Sequence, residues 1–159
     1  MLHINIICVG KIKECFFRDA ILEYSKRLRK YCILNIIELP DKKLPDKLNP
    51  ALESQIKNLE SSEIISHLNK SDYKICLDLS GKDFSSTDFA SHINCLQLKN
   101  SNISFVIGGS LGLSDELKSF CDEKICFSKM TFPHQLIRLF LLEQLFRSFK
   151  INNNEKYHH

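Results

Sequence analysis

Five short runs rich in isoleucine, leucine and valine punctuate this chain, and each leads into a longer stretch of helical period. A helix between two strands carries the chain back to the edge it started from, so such strands run parallel. The alternation therefore restricts the fold to α/β, with a mostly parallel sheet flanked by helices. "LHINIICV" predicts a strand ending at Gly10, and "CILNIIEL" predicts a second one stopped by Pro40. "YKICLDL", closed by Ser80 and Gly81, "ISFVI" and "KICFS" predict the third, fourth and fifth strands. Between them, Phe17, Ile21, Tyr24 and Leu28 fall on one helical face, as do Leu52, Ile56, Leu59 and Ile64 over residues 51–68. Three of the four prolines lie in "PDKKLPDKLNP", which predicts a loop. Ser85 and Asp88 have the spacing of a helix cap, and Ser114 opens a short helix with acidic residues in its first turn. Pro133 is expected at the first position of a last helix that reaches about Lys150. With 159 residues, no repeat and no linker, the chain reads as one domain, 1–159.

Apolar residues at 43% and charged residues at 26% suit a soluble globular domain. A net charge of +3 neither requires nor excludes nucleic acid. Basic residues gather over residues 11–30 and again from Lys129 onward. The first group suits a solvated helix face as well as a contact surface. Seven cysteines without a CxxC pair argue against a zinc site and against a secreted disulfide framework, which implies a reducing compartment. There is no leader pattern and no run of about 18 apolar residues to span a membrane. The expectation is a cytoplasmic protein with neither metal nor membrane contact.

The last helix, "HQLIRLFLLEQLFRSFK", is apolar around most of its circumference, so it must be buried on more than one side. It is either sandwiched within the monomer or placed in the interface of a two-fold homodimer. A domain of this size offers little to cover the far side, so the dimer is expected, with Leu142 in the interface. Glu143 and Arg147 are spaced to pair on the helix surface. His134 and Arg138 share a side near the helix start, where a cation opposes the helix dipole; helix stability does not explain them. In "FVIGGSLGLS" a double glycine follows the fourth strand, either as a tight turn or as a place where backbone approaches a ligand. Its spacing matches no dinucleotide or triphosphate motif. Loops are normally polar, yet "FSKMTF" carries Phe127, Met130 and Phe132, as the wall of a pocket for a flat ring would. By themselves these residues reach a cofactor or nucleoside pocket in an α/β dimer.

Taken together, "FVIGGSLGL", "FSKMTFPHQLIRLFLLEQLFRSFKI" and the terminal "YHH" resemble the RlmH family of SPOUT-class methyltransferases. The resemblance covers essentially the whole chain, and "SKMTFPHQLIR" is its most specific stretch. It implies a SPOUT-type α/β fold with a C-terminal trefoil knot, a topology that general rules of chain connection disfavour. It also implies a homodimer, S-adenosyl-L-methionine as cofactor, and methylation of N3 of a pseudouridine in 23S ribosomal RNA within the assembled ribosome. Cofactor contacts carried over by position are Leu77, Gly108, Phe127, Ser128, Lys129, Met130, Thr131 and Phe132. The polar set similar to the family's is His134, Arg138, Arg147, Tyr157 and His158. His134 or the Tyr157–His158 pair would assist deprotonation, and Arg138 or Arg147 would hold a phosphate or carbonyl oxygen. Members of the family it resembles commonly end in Tyr-His followed by Arg or Lys, whereas His159 stands here. The rival reading is a non-catalytic RNA-binding or ribosome-assembly dimer of the same fold, which would bind RNA without affinity for the cofactor.

Overall fold

The structure, a computed structural model, describes residues 1–157. Strands β1 (Leu2–Val9), β2 (Cys32–Leu39), β3 (Tyr73–Asp83), β4 (Asn102–Ile107) and β5 (Glu123–Cys126) form one sheet. They pair in parallel throughout, in the order β2-β1-β4-β3-β5. Helices α1 (Cys15–Leu28), α2 (Pro50–His67), α3 (Ser86–Lys99), α4 (Asp115–Phe120) and α5 (His134–Asn152) alternate with them. Successive side chains on a strand point to opposite faces, and β1 uses both. Ile4, Ile6 and Cys8 pack with residues of α1, α3 and α5, while Ile7 and Val9 pack with residues of α2 and α4. The result is three layers, as expected of an α/β chain with both sheet faces covered.

The caps follow from local sequence. Asn49 accepts the Leu52 N–H at 2.8 Å with Pro50 opening α2, and Ser114 accepts the Leu117 N–H at 3.2 Å. Ser85 accepts the Asp88 N–H at 3.1 Å and donates to the Asp88 carboxylate at 2.6 Å. Each such cap stabilises its helix by about 1 kcal/mol.

Three expectations are corrected. First, β3 does not close at Ser80-Gly81 but continues to Asp83, with Leu77 and Lys82 both paired to Ile125 and the residues between them bulging out. The glycine marks a close crossing rather than a stop: a Cβ on Gly81 would lie 2.5 Å from the Ile125 backbone. Second, Pro133 is the cap of α5 rather than its first residue. Its extended ψ of 137° turns its carbonyl toward the Leu136 and Ile137 N–H groups, which donate to it at 2.9 and 3.1 Å. Third, α5 is covered largely from within the protomer, because it lies between α1 and α3 on the sheet. Leu142 is 0% exposed in the core, and Phe146 and Phe149 pack against Tyr31. Leu142 therefore belongs to no interface. What the protomer leaves half-buried is the first half of the helix, including Leu136, Leu139 and Phe140.

No helix among the described residues is long and apolar enough to cross a membrane. No group of three or more His, Cys, Asp or Glu among them is arranged to hold a metal ion.

Candidate active site

The carboxyl ends of β3, β4 and β5 open into a cleft of about 970 Å³, a size suited to a small organic ligand. Leu77, Ile107 and Ile125 form its apolar floor, and the turn after β4 runs along one side. That turn closes through a bridge between Gly109 and Gly112, with the Gly112 N–H donating to the Gly109 carbonyl at 3.1 Å. A Cβ on Gly108 would stand 2.9 Å from the Gly112 backbone, so the turn keeps its shape only with glycine there.

The opposite wall is the loop between β5 and α5, which explains its composition. Phe127 meets Phe89 edge-on at 6.0 Å, and Phe132 meets Phe140 at 5.3 Å. The Cys126 thiol donates to the Ser128 carbonyl at 2.9 Å, and Ser128 Oγ accepts the Met130 N–H at 3.0 Å. Phe127 anchors the loop to the core, Phe132 rests on the half-buried face of α5, and short polar bonds hold the bend. Leu77, Gly108, Phe127, Ser128, Met130, Thr131 and Phe132 all line the cleft, although Met130 is 72% exposed. Lys129 is exposed and does not line it.

Sequence reasoning missed Asp78, Ser80 and Lys118, which also line this cleft. Asp78 pairs with Lys118 at 2.9 Å and accepts the Ser80 N–H at 2.9 Å, with the Ser80 hydroxyl donating to the same oxygen. Burial pushes the Asp78 carboxyl up, but Ser80 and Lys118 outweigh it and hold the group below its ordinary range. The signal for Asp78 and Ser80 was the interruption at "LDLSGK", which places them in the bulge; Lys118 comes from α4.

His134 stands at the cleft rim, with Arg138 one turn behind it. Arg138 is 2% exposed; it donates to Glu38 at 2.8 Å and to the Val9 and Gly10 carbonyls at 2.7 and 2.6 Å. It thereby staples the end of β1 and the end of β2 to the start of α5. A Cβ on Gly10 would lie 3.1 Å from His134 Nε2, so the ring rests directly on that turn. Burial, and then the Arg138 charge, hold the His134 imidazole below its ordinary range; it is neutral at neutral pH.

The other polar residues lie elsewhere. Arg147 pairs with Glu143 at 2.6 Å, as their spacing predicts, and sits 4.8 Å over the Tyr157 ring. Tyr157 donates to Glu143 at 3.2 Å, and burial followed by Tyr24 raises its phenol pKa. His158 lies outside the described residues. At about 1.5 Å of rise per residue, His134 and Arg147 are roughly 20 Å apart along α5. A single protomer does not bring the two sets together.

The predicted SPOUT methyltransferase family matches residues 2–158. The ribosomal RNA large subunit methyltransferase H of Clostridium acetobutylicum is 51% identical over 158 residues, 99% of either chain. That of Clostridium novyi is 54% identical over the same length and coverage. The chain belongs to the RlmH family of SPOUT methyltransferases. Solved structures agree with a SPOUT fold at low identity. A probable methylase family protein from Haemophilus influenzae superposes with a TM-score of 0.55 at 13% identity, covering 98% of this chain and 70% of that one. A putative methyltransferase from Legionella pneumophila, in complex with the bound cofactor SAM, gives 0.53 at 12% identity, covering 93% and 66%. These two speak for the fold alone. In this RlmH-family chain, the carboxyl-end cleft is thus the candidate site of methyl transfer.

Proposed function

We propose that this protein is a cytoplasmic, S-adenosyl-L-methionine-dependent methyltransferase acting on N3 of a pseudouridine in 23S ribosomal RNA, within the assembled ribosome. Its C-terminal segment is then threaded in the trefoil manner of SPOUT proteins. The observation that carries this reading is a neutral histidine at the rim of an apolar cleft whose floor is three parallel strand ends. The lining suits the cofactor: Leu77, Ile107, Ile125 and Phe127 for the faces of a purine, turn backbone for its edge, and Asp78 with Lys118 for a polar end. When bound, the cofactor supplies an electrophilic methyl group.

An imide nitrogen is a poor nucleophile until it loses its proton. His134, uncharged and resting on Gly10, is the base that takes it. Arg138 spends its outer donors on Glu38 and two carbonyls, so it positions His134 rather than touching the RNA. Arg147 and Tyr157 act from the other end of α5. A two-fold homodimer in which the half-buried first turns of α5 pack antiparallel, about an axis perpendicular to the helix, would bring each partner's C-terminal end toward the His134 end of the other. The active site is then composite, with the tail, including His158, holding the target base or its phosphate.

The test is transfer of labelled methyl from S-adenosylmethionine to intact ribosomes lacking the modification, with and without prior pseudouridylation. Label recovered as N3-methylpseudouridine, and only with pseudouridine present, is the expected result. A folded dimer that binds ribosomes but neither the cofactor nor label would point to the non-catalytic RNA-binding reading.

A further inference from the structure

The amino end of α1 presents chemistry that the methyl-transfer reading leaves unused. Phe16 is 62% exposed, and its ring pairs with no other aromatic ring but Phe17, tilted at 4.6 Å, among the described residues. Around it Lys11, Lys13 and Arg18 are exposed and form no ion pair among the described residues. Against these three cations stand one exposed carboxylate, Asp19, and the half-buried Glu14. Farther along the same helix the pattern changes, and Arg27 is neutralised by Glu23 at 2.8 Å.

This patch adjoins the site. The Lys13 N–H donates to Gln135 Oε1 at 3.3 Å, and the Ile12 N–H donates to Glu38 Oε1 at 3.2 Å. The Gly10 carbonyl is held by Arg138. The segment carrying the cations is therefore laced to the first turns of α5, where His134 faces the cleft. No acidic residue occupies the first turn of α1 itself, so the three cations face only Glu14 at its cap and Asp19 beyond it.

We propose that Phe16, with Lys11, Lys13 and Arg18, is a docking surface for single-stranded RNA beside the target nucleotide, Phe16 stacking one unpaired base and the cations holding its phosphates. This rests on the RNA-methyltransferase reading. An open aromatic face among unpaired cations is the composition that binds unstacked bases, since every base has a π-face and every nucleotide a negative charge. A protein partner would call for a broader apolar patch; Phe16 is the one large apolar side chain well exposed over residues 11–19.

The test compares wild type, Phe16→Ala, Phe16→Tyr and a Lys11→Glu/Lys13→Glu double variant on intact ribosomes lacking the modification. Ribosome binding is followed by co-sedimentation at several salt concentrations, alongside the KM and kcat of methyl transfer, S-adenosylmethionine affinity and sedimentation mass. Phe16→Ala is expected to weaken ribosome binding and raise KM by about tenfold, with kcat, cofactor affinity and mass unchanged, and Phe16→Tyr to restore both. The double charge reversal is expected to weaken binding and flatten its salt dependence. Unchanged ribosome binding by Phe16→Ala overturns the proposal. So does a loss of binding accompanied by a change in mass, which would make Phe16 a subunit contact. If the wild type binds ribosomes through Phe16 yet transfers no methyl, the methylation reading fails and the docking surface stands.

Discussion

His134 and Arg138 sit one turn apart and do different things. The arginine is buried and committed to Glu38 and two backbone carbonyls, while the histidine ring meets the cleft. Because burial and Arg138 lower the His134 pKa, the ring stays unprotonated below the usual 6.5. A base works only when unprotonated. With His134 as the proposed base, methyl transfer should therefore fall on the acid side with a midpoint below 6.5, in a pH profile of kcat/KM. His134→Gln should remove that acid limb and lower kcat by about 10²–10⁴-fold, the usual range for a general base. Arg138→Met makes a separate prediction, for stability. It strands the Glu38 carboxylate and two carbonyls, and breaking a buried pair destabilises by about 3–5 kcal/mol. Glu38 keeps 33% of its side chain in solvent, so the loss should fall near the lower end, about 3 kcal/mol, in urea unfolding.

The last helix makes the element-scale case. Leu142 is fully enclosed by the protomer, whereas Leu139 stays half-buried. Leu142→Asp should therefore unfold the chain, losing upwards of about 4 kcal/mol by circular dichroism and denaturant titration. Leu139→Asp should leave the fold intact and lower the mass in sedimentation; a Leu139→Asp protein of unchanged mass would remove this surface from the dimer. Reading α5 from its composition correctly required burial on several sides, but composition is blind to what does the covering. A leucine looks the same whether α1, α3 or a partner lies over it. Which helices flank α5 depends on the strand order β2-β1-β4-β3-β5, a property of crossovers rather than of any local run. The strands and caps were legible because alternation and Ser or Asn caps act over a few residues. The Asp78–Lys118 pair was not, since it joins the β3 bulge to α4 across 40 positions of chain. The apolar loop at Phe127 was legible as a pocket wall, for its exposed-looking aromatics made no sense otherwise.

On the scale of the molecule, the polar residues divide into two sets at the ends of one helix, and that division carries a prediction independent of any single side chain. His134 lies by the cleft, whereas Arg147 and Tyr157 are roughly 20 Å away along α5. In the proposed antiparallel dimer each site takes His134 from one subunit and Tyr157 from the other. His134→Ala and Tyr157→Ala homodimers should then each be inactive. Unfolding and refolding an equal mixture yields half heterodimers. In each heterodimer one site receives both damaged residues and the other receives both intact ones. Methyl transfer should recover to about a quarter of the wild-type rate, a value set by counting sites in a two-fold assembly. Sites contained within one protomer would behave otherwise: every site in every heterodimer would lack one residue, and the mixture would stay as inactive as its parents. The recovered fraction therefore reports whether the two ends of α5 meet across the two-fold axis, and a fully inactive mixture would return Tyr157 to the role its contacts already give it, bracing Glu143 and Arg147 on the helix surface.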